Sequence, residues 1–134
     1  MKILGRHVIA ELCDCDRGIL NDAHLLEQYM KEAVRLSGAT IVRSVFHRYN
    51  PHGVSGIVVI AESHMSVHTW PEYGYAAVDF FSCGVRVDPH KALEYIVKRL
   101  NARTAQVSEV NRGMPSLTDQ VLDHKPFSAA AAET

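Results

Sequence analysis

The middle of the chain is a series of short strand-forming runs separated by compact turn chemistry. TIVRSVFHRY (40–49), IVVI (57–60), VHTW (67–70) and YAAVDFF (75–81) are rich in β-branched and aromatic residues. Asn50-Pro51-His52-Gly53 and Pro71-Glu72-Tyr73-Gly74 supply turns, and Glu62-Ser63-His64 interrupts the second run. Runs joined this closely pair as hairpins, so the centre of the chain must form a sheet. Amphipathic helices flank it. Leu25, Leu26, Tyr29, Met30, Ala33 and Val34 recur at helical spacing, with Asn21 or Asp22 as cap and Gly38 placed to take the left-handed position after the end. Asp88-Pro89 opens a second helix whose stripe is Leu93, Ile96, Val97 and Leu100. Residues 3–12 read as a first strand ending in a polar loop, CDCDRG, and residues 103–110 as a last strand. The order β-α-β-β-(β)-β-α-β predicts an α+β fold, a two-layer sandwich with two helices on one face of a mostly antiparallel sheet.

With 134 residues and 47% hydrophobic content, the chain is one domain able to bury a core without metals or disulfides. A net charge of −1 gives no basic field for nucleic acid or anionic lipid, so neither is an expected partner. No signal-peptide or membrane-spanning pattern is present, and the chain reads as cytoplasmic. The three cysteines, Cys13, Cys15 and Cys83, form no disulfide ladder, and reduced thiols are expected. The tail, which ends in AAAAET, has no core-forming pattern and is expected to be loose, leaving residues 1–114 as the folded domain and 115–134 as the tail.

Residues 62–84, ESHMSVHTWPEYGYAAVDFFSCG, concentrate the reactive side chains. On an extended strand His64, Ser66 and His68 share one side. A serine hydrolase needs its nucleophile on a strand-to-helix elbow, which Ser63 lacks. Cys13-x-Cys15 is too closely spaced for a zinc knuckle, and a strand end with small half-buried side chains explains it better. From the residues alone, hydrolysis, a metal site and a less common chemistry all stay open.

Glu62-Ser63-His64, His68-Thr69-Trp70-Pro71-Glu72, Gly74-Tyr75-Ala76 and Ser82-Cys83-Gly84 together resemble the prokaryotic S-adenosylmethionine decarboxylase proenzymes, a pyruvoyl-dependent family. Gly5-Arg6-His7, Phe46-His47-Arg48, the Gly53-Val54-Ser55-Gly56 turn, Asp88-Pro89 and Arg112-Gly113 extend the resemblance over residues 4–114. It implies self-cleavage between Glu62 and Ser63, giving a β chain of residues 1–62 and an α chain of residues 63–134. The Ser63 hydroxyl attacks the preceding carbonyl, and elimination and hydrolysis leave a covalent pyruvoyl group, so no external cofactor is needed. That group forms a Schiff base with the substrate amine and serves as the electron sink. Ser55 and His68 resemble the residues that hold the cyclic intermediate and remove the α-proton during processing. Cys83 resembles the acid that reprotonates the product carbon. Glu72 resembles the carboxylate that takes the ribose hydroxyls, and Tyr49 the aromatic that stacks on adenine. The resemblance also implies a homodimer of processed αβ protomers whose sheets pair, with active sites drawing on both.

Taken alone, Ser55 is a turn residue, Cys83 a buried small side chain, Trp70, Tyr73 and Tyr75 packing aromatics, and His47 and His52 polar strand and turn positions; His64 has no catalytic role assigned. The chain departs from the family at Tyr49, usually Phe, at Val85-Arg86, often acidic, and at His90, often Trp. Processing is expected to survive these changes. Substrate choice is less constrained, and an arginine or ornithine decarboxylase on the same scaffold is the alternative, followed by a non-catalytic binding or regulatory homologue.

Overall fold

The computed structural model describes residues 3–113. The expected tail, residues 115–134, lies outside them. Six strands, β1 (Gly5–Cys13), β2 (Thr40–Arg48), β3 (Val54–Ala61), β4 (Ser63–Trp70), β5 (Tyr75–Cys83) and β6 (Thr104–Arg112), form a single sheet in the order β2-β3-β4-β5-β1-β6. Every neighbouring pair is antiparallel. The helices are α1 (Arg17–Leu20), α2 (Ala23–Ser37) and α3 (Pro89–Arg99). Helix α2 packs on β2 and β3, α3 packs on β5 and β1, and the two pack on each other, which is the expected two-layer α+β sandwich.

Local chemistry explains the helix boundaries. The Asp22 carboxylate accepts from the Leu25 N–H at 3.0 Å, and Gly38 closes α2 at φ +89°. Asp88 caps α3 through the His90 and Lys91 N–H groups, with Pro89 at the first helical position. Leu26, Met30, Ala33 and Val34 of α2 meet Leu93, Ile96 and Leu100 beneath the second helix in one core with Val8, Leu12, Val58, Met65 and Phe80. Each large side chain fully buried there contributes roughly 1.5–3 kcal/mol.

Three details differ from the sequence expectation. The polar CDCDRG stretch is a shorter loop than expected, because Arg17–Leu20 makes a helical turn capped by Asp16 and buries Leu20. Glu62-Ser63-His64 does not interrupt a strand for long: β3 ends at Ala61 and β4 starts at Ser63. Polar His64, Ser66 and His68 alternate there with buried Met65, Val67 and Thr69, a period of two masked by its polar half. Ser55 is likewise a strand residue, since only Gly53, at φ +102°, belongs to the turn and Val54 already lies in β3. Gly56 is required there, because a Cβ would stand 2.1 Å from the Phe46 ring across the β2–β3 pair.

The face of the sheet away from the helices is not covered by any of the described residues. By strand alternation it presents His64, Ser66, His68, Asp79, Phe81, Cys83 and His7, with Ile9, Val45, Ile57 and Val59 exposed among them.

Candidate active site

The bend between β3 and β4 consists of Glu62 alone, with Ile60 paired to Ser63 across it. On its other side Ser63 pairs with Ser82 of β5, and Cys83 ends that strand. The backbone N–H of Cys83 donates to the Glu62 carbonyl oxygen at 2.9 Å. The carbonyl that precedes Ser63 is therefore held and polarised by a fixed donor, the arrangement that stabilises an oxyanion when a nucleophile adds. The buried Ser82 hydroxyl, on the face that Ser63 shares by register, has no hydrogen-bond partner among the described residues.

Around Ser63 lies a chain of polar contacts. Its Oγ is 3.5 Å from His64 Nδ1, and His64 Nε2 is 3.3 Å from Asp79 Oδ2. The same oxygen takes His7 Nε2 at 2.5 Å, while the Ser66 hydroxyl donates to Oδ1. Burial pushes the Asp79 carboxyl up, but the hydrogen bonds from Ser66 and His7 and the nearby His64 outweigh it and hold the group below its ordinary range. His7, His64 and Asp79 bring one ligand atom each within 4.8 Å of one another. Both imidazoles reach the same carboxylate oxygen through Nε2, an arrangement that supports hydrogen bonding and proton transfer. The Phe81 ring stacks on His7 at 5.1 Å and meets His64 edge-on.

A second group occupies the other end of the same strands. Ser55 Oγ and His68 Nδ1, paired across β3 and β4, are 2.8 Å apart. They line a cavity of about 400 Å³ with Val45, His47, Ile57 and Ser66. Beyond them, Glu72 sits in the 3₁₀ turn Pro71–Tyr73, within 3.1 Å of His52 Nε2. Its own backbone N–H is the largest influence on the carboxyl and, with His52, holds it below its usual range. Tyr49 is exposed, its ring edge-on to His47 at 4.6 Å. Thr69 anchors this end by donating to the Leu20 carbonyl at 2.7 Å while accepting from the Val54 N–H.

The residues singled out from the sequence thus fall into two groups. Glu62, Ser63 and Cys83 stand at one end of the sheet, and Ser55, His68, Glu72 and Tyr49 at the other. Five residue steps along extended β4 separate Ser63 from His68, about 16 Å at roughly 3.3 Å per residue. One chain does not bring them together.

The remaining expectations find their places. Cys13 is exposed at the end of β1, whereas Cys15 is buried and its thiol is pushed up to about 11, chiefly by burial. Trp70 and Tyr75 pack on each other at 5.2 Å, and Tyr73 is exposed. Val85 and Arg86 line a cavity of about 530 Å³ with Glu62 and Cys83, at the Ser63 end. His90 lies 3.1 Å from Glu109, which also takes Arg6 at 2.9 Å. Sequence reasoning missed Asp79, His7, Ser82 and the pairing of His52 with Glu72. The shared side of His64, Ser66 and His68 was visible, but the residue facing them from β5 depends on register.

The profile of the S-adenosylmethionine decarboxylase family matches residues 6–113 of the chain. An S-adenosylmethionine decarboxylase proenzyme of Thermotoga maritima is 58% identical over 113 residues, 84% of this chain and 87% of that one. The proenzyme of Fervidobacterium nodosum is 57% identical over 133 residues, 99% of this chain and 96% of its own. Among solved structures, the adenosylmethionine decarboxylase of Aquifex aeolicus superposes with a TM-score of 0.80 at 31% identity, covering 90% of this chain and all of that one.

Proposed function

This chain belongs to the S-adenosylmethionine decarboxylase family, and from that premise we propose that it is a self-processing decarboxylase converting S-adenosylmethionine to its decarboxylated form, the aminopropyl donor of spermidine synthesis. The single observation that carries the self-processing is the hydrogen bond from the Cys83 N–H to the Glu62 carbonyl. It polarises the carbonyl next to the one serine that begins a strand directly after a one-residue bend. Cleavage there yields chains of residues 1–62 and 63–134. The residues at the bend fit a pyruvoyl group at position 63: a backbone donor points into the bend, and the Ser82 hydroxyl, without a partner among the described residues, lies across from the serine. Such a group supplies the electron sink for loss of carbon dioxide from an α-amino acid, without an external cofactor.

The chain's own residues do the rest. Ser55 and His68, within hydrogen-bond reach of each other, assist processing by holding the cyclic intermediate and removing the α-proton. Cys83 protonates the product carbon. Glu72, kept ionised, takes the ribose hydroxyls, and the exposed Tyr49 ring stacks on adenine. Because about 16 Å of β4 separates these two groups, a complete site needs two chains. A homodimer of processed protomers packed through the uncovered sheet faces, about a two-fold axis running across the strands, sets the Ser63 end of one against the His68 end of the other. The exposed Ile9, Val45, Ile57 and Val59 are the apolar component of that contact. A cytoplasmic setting is part of the reading and agrees with the odd number of thiols.

The test is direct. The purified protein should run as two fragments on a denaturing gel, and Ser63→Ala as one intact chain. The processed protein should release carbon dioxide from S-adenosylmethionine and not from arginine or ornithine. An unsplit wild-type chain, or activity only on a basic amino acid, would refute the proposal.

A further inference from the structure

Processing takes two protons from residue 63, that of the hydroxyl and that of the α-carbon, and the roles given above account for only one. His68 takes the α-proton of residue 63, which leaves the hydroxyl proton of Ser63 without an acceptor. We infer that His64, oriented by Asp79, is the base that receives it; this rests on the self-processing reading above. His64 Nδ1 stands within hydrogen-bond reach of Ser63 Oγ, at 3.5 Å. For Nδ1 to accept, the imidazole proton must sit on Nε2, and Nε2 faces Asp79 Oδ2 at 3.3 Å. Asp79 stays a carboxylate because Ser66, His7 and His64 together outweigh its burial. The linear order hydroxyl, imidazole, carboxylate is that of a nucleophile activated by a base whose tautomer a third group sets. Here the two ring nitrogens have exchanged jobs. Asp79 acts only through His64 and is a positioning residue.

The step balances. The Ser63 hydroxyl proton passes to His64 Nδ1 as Oγ bonds to the Glu62 carbonyl carbon, and the developing oxyanion keeps the Cys83 N–H as its donor. The carbon–nitrogen bond of the Glu62–Ser63 peptide then breaks. Protonated His64 returns its proton to the departing nitrogen, leaving an ester and a free amine. His64 ends as it began, and no oxidant, reductant or metal is consumed. A contact of 3.5 Å in the resting chain is long for transfer, as such contacts commonly are before the reacting groups close.

The titratable and polar groups that face His64 are Asp79 from β5, His7 from β1 through the shared carboxylate oxygen, and Ser63 and Ser66 on its own strand; Glu62 stands two residues before it in the bend. Val59 of β3, its partner on the remaining side, does not titrate. Arg112 of β6 lies over the Phe81 ring.

The experiment follows freshly synthesised full-length chain from a cell-free system, with fragment appearance measured on denaturing gels across a range of pH. Wild type should show a limb of rate rising with pH. His64→Ala should split about 10²-fold more slowly, lose that limb, and be rescued in part by added imidazole. His64→Gln, which keeps a polar side chain but no base, should be as slow as His64→Ala. Asp79→Asn should slow cleavage, and the double variant should be no slower than His64→Ala alone. His7→Asn should keep the limb. Cleavage of His64→Gln at the wild-type rate would overturn the inference while leaving the self-processing reading intact. So would slow cleavage with an unchanged pH limb and no rescue. A wild-type chain that never splits would overturn both.

Discussion

The backbone N–H of Cys83 lies 2.9 Å from the carbonyl oxygen of Glu62, so the last residue of β5 holds the peptide group that precedes the first residue of β4. A residue singled out for its thiol therefore touches the bend through its main chain as well. The two can be separated experimentally, since substitution of the side chain leaves the amide in place.

Cys83→Ala should consequently split at a rate within a few-fold of wild type. Its carbon dioxide release should fall by about 10²-fold or more, the usual worth of a positioned proton donor. Measuring fragment formation and decarboxylation on the same preparation checks this, and equal losses in both would show that the thiol serves cleavage instead.

Ser55 and His68 act as a pair at 2.8 Å, so their effects on processing should not add. Ser55→Ala and His68→Ala should each slow cleavage by about 10- to 10³-fold. The double variant should be barely slower than the worse single one. Time courses for the four chains supply the cycle, and strict additivity would mean that the hydrogen bond has no part in the chemistry.

If complete sites need two chains, Ser63→Ala and His68→Ala should complement. Ser63→Ala alone makes no site, and His68→Ala alone matures only slowly. Co-expression places Ser63 of one protomer against His68 of the other in mixed dimers, restoring about one site in four under random pairing. Decarboxylation by the co-expressed mixture, set against each variant alone, decides between sites shared across the interface and sites within one chain.

Asp79 makes stability depend on acid. Its carboxyl titrates below the ordinary aspartate value of about 3.9 in the folded chain. The group therefore contributes stability in full above that value, and the contribution is lost as pH falls through the lower, folded-state one. Asp79→Asn should be less stable than wild type near neutrality and should show a flatter decline in acid. Urea midpoints measured from neutral pH down into that range give both curves.

Short-range sequence pattern was enough to set the local elements. The stripes of α2 and α3, the caps Asp22 and Asp88, the glycine at 38 and the turns after Tyr49 and Trp70 depend on residues within a few positions of each other, and each is present in the structure. The run from Glu62 to Glu72 was legible as a motif for the same reason. Three-dimensional position was not. A contiguous motif suggests a contiguous site, yet in extended β4 every residue advances the chain by roughly 3.3 Å. One end of the motif therefore reaches Cys83 and the other reaches Ser55. His7 and Asp79, 72 residues apart, meet because β1 is placed beside β5 rather than beside β2. Strand order and register are settled by packing one face of the whole sheet under two helices, since a slip of a single residue would turn every core side chain outward. That long-range choice, which no local pattern encodes, put Asp79 behind His64 and the Cys83 amide on the Glu62 carbonyl.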